Sequence, residues 1–389
     1  MSNIRKLTEA DFDDVFALSQ FAFQYKLSDE ALLTQKEDAR SHTIFGWLEN
    51  DELAGKVHII PFSCYIHGEE IDMGGIAAVA TWPEYRRQGI IKQLLYESLV
   101  EMKKQGQVIS FLHPFSFAFY RKYGWEYTFN QKHYKVPIKD FNKAWGTHGY
   151  VRRVHDNLPL LQKIYQTYAK RYNGMLARDE HRWRYHVLSE DLITVVAYNE
   201  SGEAEGYLMF QVKNRLFTVK EIVATTLNGW KLLLEFIANH DSMVEEVKMI
   251  VPENDQLSIL LDNPRFEQRI YPYFMARIVD APTFLEAYPF QGHGEVLELS
   301  LAIQDDFFPE NSGIYQLSCN GGNVNITRSK MTETQGDIHC SIQQLTSMLI
   351  GFKRPLELYE LGLITGDKPK IEQLERIVPN KQTYLMDFF

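Results

Sequence analysis

The chain has 389 residues, 45% of them hydrophobic and 24% charged, the proportions of a globular protein long enough for two or three cores. A formal charge of −10 argues against general nucleic-acid binding and favours cationic partners such as amines. Cys64, Cys319 and Cys340 are scattered with no CxxC pair, so neither a disulfide framework nor a zinc spacing is read, and no metal is expected.

The segment from Met1 to Thr8 has no signal-peptide core, and no apolar run approaches the roughly 20 residues that span a bilayer. A reduced cytoplasm, with no membrane partner, is the expectation. Thr8 and Asp11 cap a first helix over Phe12, Val15, Phe16 and Leu18, and Ser28-Asp29-Glu30 opens a second. Strands then dominate at 43–48, 54–64 and 70–81, with His67-Gly68 as a hairpin turn. A helix from about Gln88 to Lys104 ends at Gly106, a residue suited to a C-cap. A buried-type strand at 108–113 stops at Pro114. A short helix carries Phe117 to Tyr123, Gly124 ends it, and Trp125 to Val136 returns as one strand.

A similar order follows. A hairpin at 193–198 and 205–212 precedes a strand at 216–224, a helix at 230–240 and a strand at 247–251. Pro252, a helix at 257–261 and a strand at 271–279 close this stretch. Its strand–Pro–helix punctuation repeats that around Pro114. The turn before its long helix, Thr225 to Gly229, has no arginine pair, which reads as a degenerate repeat; two unrelated α/β domains are the alternative. Pro282 to Gly294 reads as a boundary. Beyond it, Leu297, Leu299, Leu301 and Ile303 alternate as on a half-buried strand. The sequence Asn320-Gly321-Gly322-Asn323 reads as a hairpin turn between 314–319 and 324–328, and helices at 341–350, 355–362 and 370–377 finish the chain.

The stretch from Val79 to Ile91 is the most informative. A strand stops at Pro83, a turn carries Arg86, Arg87, Gln88 and Gly89, and a helix begins with Ile90 and Ile91. A helix start presents free N–H groups and the positive end of the macrodipole, a cradle for pyrophosphate. Gly89 permits close backbone approach, and the arginines supply counter-charge. The arrangement resembles the acetyl-CoA loop of the GNAT acetyltransferases, with Ile91 standing where that loop has Gly or Ala. Tyr120, in the run Phe119 to Trp125, is either core filling or a general acid. His113 and His133 are secondary candidates for a base, and Cys64 lacks recognisable triad partners. The run Arg178 to Trp183 reads as a charged helix start at an interdomain or outer surface.

Three features together resemble the Eis (enhanced intracellular survival) family of N-acetyltransferases across the whole chain. They are Val79-x-Thr81-x-Pro83-x-x-Arg86-Arg87-x-Gly89, Phe119-Tyr120-x-x-Tyr123-Gly124, and the closing Asp387-Phe388-Phe389. The resemblance implies a mixed α+β fold: a GNAT domain over 1–145, a degenerate second one over 146–285 and a sterol-carrier-like domain over 286–389. It implies acetyl-CoA as co-substrate, held by Val79, Thr81, Arg86, Arg87, Gln88, Gly89, Ile90 and Ile91. It also implies Tyr120 as acid and the α-carboxylate of Phe389 as base; a frayed terminus is the bland reading of Phe389. Small-molecule amines (aminoglycoside, polyamine or lysine) and a homo-hexamer are implied partners. Asp387 is expected to help hold a cationic amine, in a cleft where the first unit meets the C-terminal module. Another acyl-CoA donor, or a non-enzymatic lipid- or CoA-binding role, are the alternatives.

Overall fold

The computed structural model describes residues 3–142, 144–155, 157–292, 296–320, 324–330 and 336–389. The chain begins with β1 (Ile4–Lys6), α1 (Phe12–Ala22), α2 (Asp29–Ala39), β2 (Thr43–Glu49), β3 (Glu52–Ile66) and β4 (Glu69–Thr81). It continues with α3 (Ile90–Lys104), β5 (Ile109–Leu112), α4 (Phe117–Arg121), β6 (Glu126–Tyr127) and β7 (Asn130–Pro137). The middle holds β8 (Tyr150–Arg153), α5 (Leu158–Ala169), α6 (Glu180–Arg182), β9 (Ile193–Tyr198), β10 (Ala204–Lys213) and β11 (Leu216–Ala224). Then come α7 (Leu227–Ala238), β12 (Glu246–Val251), α8 (Leu257–Leu260), β13 (Glu267–Pro272) and β14 (Met275–Ile278). The last part has α9 (Ala281–Ala287), β15 (Val296–Gln304), β16 (Gly313–Asn320), β17 (Val324–Ser329), β18 (Ile338–Ser341), α10 (Ile342–Leu349), α11 (Pro355–Glu360), β19 (Thr365–Gly366) and α12 (Lys368–Ile377).

These strands form three mixed sheets, in the orders β1-β2-β3-β4-β5-β14-β6, β13-β7-β12-β11-β10-β9-β8 and β17-β16-β15-β18-β19. Two of the expected single strands divide, and this corrects the sequence reading. The stretch from Trp125 to Val136 gives β6 to the first sheet and β7 to the second. The stretch from Tyr271 to Val279 gives β13 to the second and β14 to the first. The two chains cross side by side. Thr128 and Phe129 N–H both donate to Phe274 C=O at 3.3 Å, and Tyr273 N–H donates to Phe129 C=O at 2.8 Å. These bonds join the two segments at the crossing while each unit lends the other a strand.

The periodicities explain the layers. On α3, Ile90, Leu94, Leu95, Leu99 and Met102 recur at helical spacing and bury one stripe against Val57, Ile59 and Ile76 of the first sheet. The C-terminal sheet does not have a core of its own. Leu299, Leu301 and Ile303 share one apolar cluster with Phe111, Phe129 and Ala276 of the first sheet. The stretch expected as a boundary contains α9, and 321–323 of the expected hairpin turn lie outside the described residues, although β16 and β17 pair antiparallel as the turn requires.

Candidate active site

The site starts where two parallel strands part. β4 and β5 pair from Met73 and Ile109 to Ile76 and Leu112; β5 then ends while β4 runs on to Thr81. A bulge bends β4 within that extension. Lys56 opposes Ala80 but His58 opposes Ala77, and Ala78 takes a left-handed φ of 48°. Extra twist and an unpaired residue are what a bulge supplies, and they splay β4 from β5.

Past Thr81 the chain makes a single 3-10 turn at Pro83–Tyr85 and enters α3 through Arg87 (φ 64°) and Gly89 (φ 81°). A Cβ at Gly89 would meet nothing within 4 Å, so glycine is there for its backbone, which leaves an open cradle at the helix start. No acidic residue occupies the first turn of α3, and no carboxylate among the described residues pairs with Arg86 or Arg87. A cleft of about 730 Å³ lies over the cradle, lined by Val79, Thr81, Arg86, Arg87, Gly89, Ile90 and Ile91 and by the aromatics Phe115, Phe119 and Tyr123. The described cleft thus includes seven of the eight loop residues singled out from sequence. Gln88 is the exception: its side-chain amide turns back to donate to Glu84 C=O at 3.3 Å. Thr81 Oγ1 is buried with no hydrogen-bond partner among the described residues.

The matching place in the second unit is filled. Gly229, in the first turn of α7, lies so close to Glu205 C=O that a Cβ would come within 2.6 Å of that oxygen. Thr226 caps this helix by accepting from Gly229 N–H at 3.0 Å. With its donor capped and strand backbone against it, α7 has no phosphate cradle.

Ser116 caps α4, accepting from Phe119 N–H at 3.4 Å. Tyr120 sits on this helix among Phe115, Phe119 and Trp125, and burial raises its phenol above the ordinary value. It is not among the cleft's lining residues, but its ring packs directly on two of them, Phe115 and Phe119. α4 is tied to the rest by Arg277 of β14, wholly buried, which donates to Tyr123 C=O and, at 2.5 Å, to Asp305.

The C-terminal tail closes the opposite side of the splay. The Phe389 ring packs 4.8 Å from Phe62 and 4.9 Å from Phe274, and it covers Gly75, where a Cβ would meet it at 2.8 Å. Gly75 pairs with Phe111 one step before the strands separate. Phe388 lies exposed, its ring 5.0 Å from His113.

What holds the tail corrects one expectation and decides between two others. Asp387 is buried, and Arg178 reaches its two oxygens at 3.1 Å each while Arg182 reaches it at 3.2 Å. Its charge is committed to guanidinium groups and is not presented to a ligand. Arg178 is itself buried in the interdomain position, one of its two expected places, and it makes a second pair with Glu221 at 2.6 and 3.2 Å. Burial pulls the Arg178 pKa down, but the two carboxylates outweigh it and raise it well above the ordinary value. Arg182 also donates to Phe388 C=O, and the Tyr273 hydroxyl to Asp387 C=O at 2.9 Å. Beside this strap lies a cavity of about 290 Å³ lined by Asp38, His42 and Phe62 of the first unit, by Asp179, His181, Arg182 and His186 of the second, and by Phe388 and Phe389. The C-terminal module contributes only its tail to this cavity, whose other walls come from the two GNAT-like units.

Of the two candidate histidines, His113 borders the tail, and burial lowers its pKa. His133 lies in the second sheet opposite Ile250 and Arg269, beside Gln131 and Tyr271. Cys64 is buried, with its thiol pKa pushed up, which suits a structural side chain. Sequence reasoning missed Lys56 and His58. Both are buried on β3; Lys56 Nζ lies 3.0 Å from His58 Nε2 and donates to Ala78 C=O at 3.2 Å, bracing the bulge. Burial lowers the Lys56 pKa to about 7. The available signal was two polar residues two apart in an otherwise apolar strand.

Comparison with known proteins agrees with this geometry. Residues 3–128 and 174–278 each match an acetyltransferase (GNAT) domain, and residues 281–386 match a sterol carrier protein domain. The chain is therefore an acyltransferase of tandem GNAT design with a sterol-carrier-like domain behind it. A protein of Enterococcus faecalis described as a probable N-acyltransferase is 28% identical, with 99% of each chain covered and a TM-score of 0.92. N-acetyltransferase Eis of Mycobacterium bovis is 22% identical over 95% of this chain and 94% of that one. Eis1 of Mycobacterium abscessus shares the fold at 19% identity and a TM-score of 0.83, over 99% of this chain and all of that one. The chain belongs to the Eis-like family of GNAT N-acetyltransferases. Among the described residues, no helix is long and apolar enough to cross a membrane.

Proposed function

We propose that the chain transfers an acetyl group from acetyl-CoA directly to the amino group of a small cationic amine, within one ternary complex. The observation that carries this reading is the convergence of an open helix-start cradle and a strapped C-terminal residue on opposite sides of one strand splay. The cradle suits a pyrophosphate: Arg86 and Arg87 have no carboxylate partner among the described residues, Gly89 leaves room, and Val79 and Thr81 offer the β4 edge. Acetyl-CoA would supply the activated thioester. Tyr120, kept protonated by burial, is the acid for the departing thiolate. The α-carboxylate of Phe389 is the base that takes the amine proton, a reading supported by the packing of its ring on Phe62 and Phe274.

A short acyl group is favoured because the Phe389 ring lies on Gly75, beside the point where a longer tail would have to pass. Aminoglycosides, polyamines and lysine side chains are the amine classes proposed, and a homo-hexamer in the cytoplasm is the proposed state, checked by sedimentation. The test is incubation with acetyl-CoA and spermine, kanamycin or a lysine peptide, read by thiol release and by the product's mass. An acetylated amine appearing with stoichiometric thiol is expected. Thiol release without an acetylated amine would overturn the proposal.

A further inference from the structure

A second cluster stands in the cavity beside the tail, apart from the cradle and Tyr120. Asp38, at the C-terminal end of α2, faces two histidines of the second unit. Its Oδ1 lies 3.4 Å from His186 Nε2 and 3.7 Å from His181 Nδ1. The three candidate donor atoms all fall within 4.8 Å of one another. His42 Nε2 stands 3.7 Å from the other carboxylate oxygen, Oδ2, and its Nδ1 lies 3.4 Å from His58.

The backbone that brings the two histidines together is unusual. After α6, residues Trp183–Val187 form a π-helical turn, closed by Leu188 N–H donating to Trp183 C=O at 2.9 Å. In an α-helix, residues five apart diverge around the axis, whereas the wider π turn brings them toward one face. Such turns are rare and concentrate at functional sites. His181, on α6 just before the turn, and His186, within it, face the same oxygen, with ring centroids 6.0 Å apart.

We propose that Asp38, His181 and His186 form a binding site for a divalent transition cation of the zinc type. Two imidazoles and one carboxylate are a borderline donor set, which suits zinc, cobalt or nickel over magnesium or calcium. With metal–ligand bonds of about 2.0–2.1 Å, neighbouring ligands of a tetrahedral ion stand about 3.4 Å apart, close to the two spacings observed here. The fourth position is left for water or a ligand from the cavity. His42 is a positioning residue that holds the second oxygen of Asp38. The cation joins the first unit to the second beside Phe388 and Phe389. Its positive charge opposes entry of a cationic amine, a consequence that rests on the proposed acetyl transfer; the metal site itself does not.

The test titrates the tag-free, chelator-treated full chain with Zn2+ by calorimetry, and with Co2+ by visible absorption. One ion per chain is expected, with the intense spectrum of four-coordinate Co2+. Asp38→Ala, His181→Ala and His186→Ala should each weaken Zn2+ binding by at least about 100-fold, and His42→Ala by about 10-fold, the range reported for supporting partners. His148→Ala, at an exposed histidine elsewhere, should change nothing. Thermal unfolding without metal verifies that each variant is folded. No saturable Zn2+ binding by the native chain, or binding that His186→Ala leaves within twofold, would overturn the site. Because the titration requires no turnover, either result leaves the acetyl-transfer proposal to its own test.

Discussion

Replacing Asp387 with alanine separates the tail's attachment from the fold. The carboxylate is buried, held by Arg178 through both oxygens and by Arg182 through one. Removing one partner of a buried ion pair costs about 3–5 kcal/mol, because the remaining charge is stranded. Arg178 keeps Glu221, so the loss falls mainly on Arg182 and on the tail. What still fastens the tail is the part-buried Phe389 ring, at most about 1.5–3 kcal/mol, and the donation from Arg182 to Phe388 C=O. The hydrogen bond from Tyr273 to Asp387 C=O adds about 0.5–1.5 kcal/mol. A deficit near 3 kcal/mol shifts the docked fraction by roughly 100-fold. Asp387→Ala should therefore lower kcat by about that factor and expose Phe388 and Phe389 to carboxypeptidase, while far-UV circular dichroism stays native. Asp387→Asn, which keeps an acceptor oxygen, should fall between. Native kcat together with native resistance to carboxypeptidase in Asp387→Ala would refute the strap.

Replacing Arg86 and Arg87 together with alanine should raise KM for acetyl-CoA by about 10- to 100-fold and flatten its salt dependence, with kcat at saturating donor little changed; steady-state kinetics at two ionic strengths checks this. Tyr120→Phe should lower kcat by about 100-fold or more and leave KM for the donor near native. A folded Tyr120→Phe variant with native kcat would return the tyrosine to the core. His67 holds the β3–β4 hairpin to the C-terminal module through Tyr288 and Leu349, and burial lowers its pKa to about 4. Its unfolded value is higher, so the unfolded chain binds the extra proton: stability is full above about pH 6.5 and falls as pH drops towards 4, by up to about 3 kcal/mol. Denaturant melts across that window should show the loss, reduced in His67→Gln.

Much of this was legible along the chain because it is local. The Pro83 stop, the arginine pair and Gly89 state a strand–turn–helix cradle within a dozen residues, and the stripe on α3 states which face is buried. The run from Phe119 to Gly124 was legible as an aromatic helix for a similar reason, though not which of its rings line the cleft. Pairing partners are not local. Nothing in the alternation of Asn130–Pro137 or Met275–Ile278 says which sheet receives it, so the exchange of strands was invisible. Arg178 and Arg182 read as a charged helix start at an interdomain or outer surface, and the run itself does not say which; they are buried between units because Glu221 and Asp387, distant in sequence, arrive to neutralise them. The metal cluster was hidden in the same way, since its carboxylate and its histidines come from different units and the turn that aligns them is not α-helical.

The most direct measurement compares the intact chain with one lacking Phe389, scoring thiol release from acetyl-CoA with a polyamine and acetyl-CoA affinity by calorimetry. Loss of turnover in a folded, truncated chain that still binds acetyl-CoA with native affinity is the predicted result. Undiminished turnover in that chain would contradict the terminal base and, with it, the role given to the strapped tail.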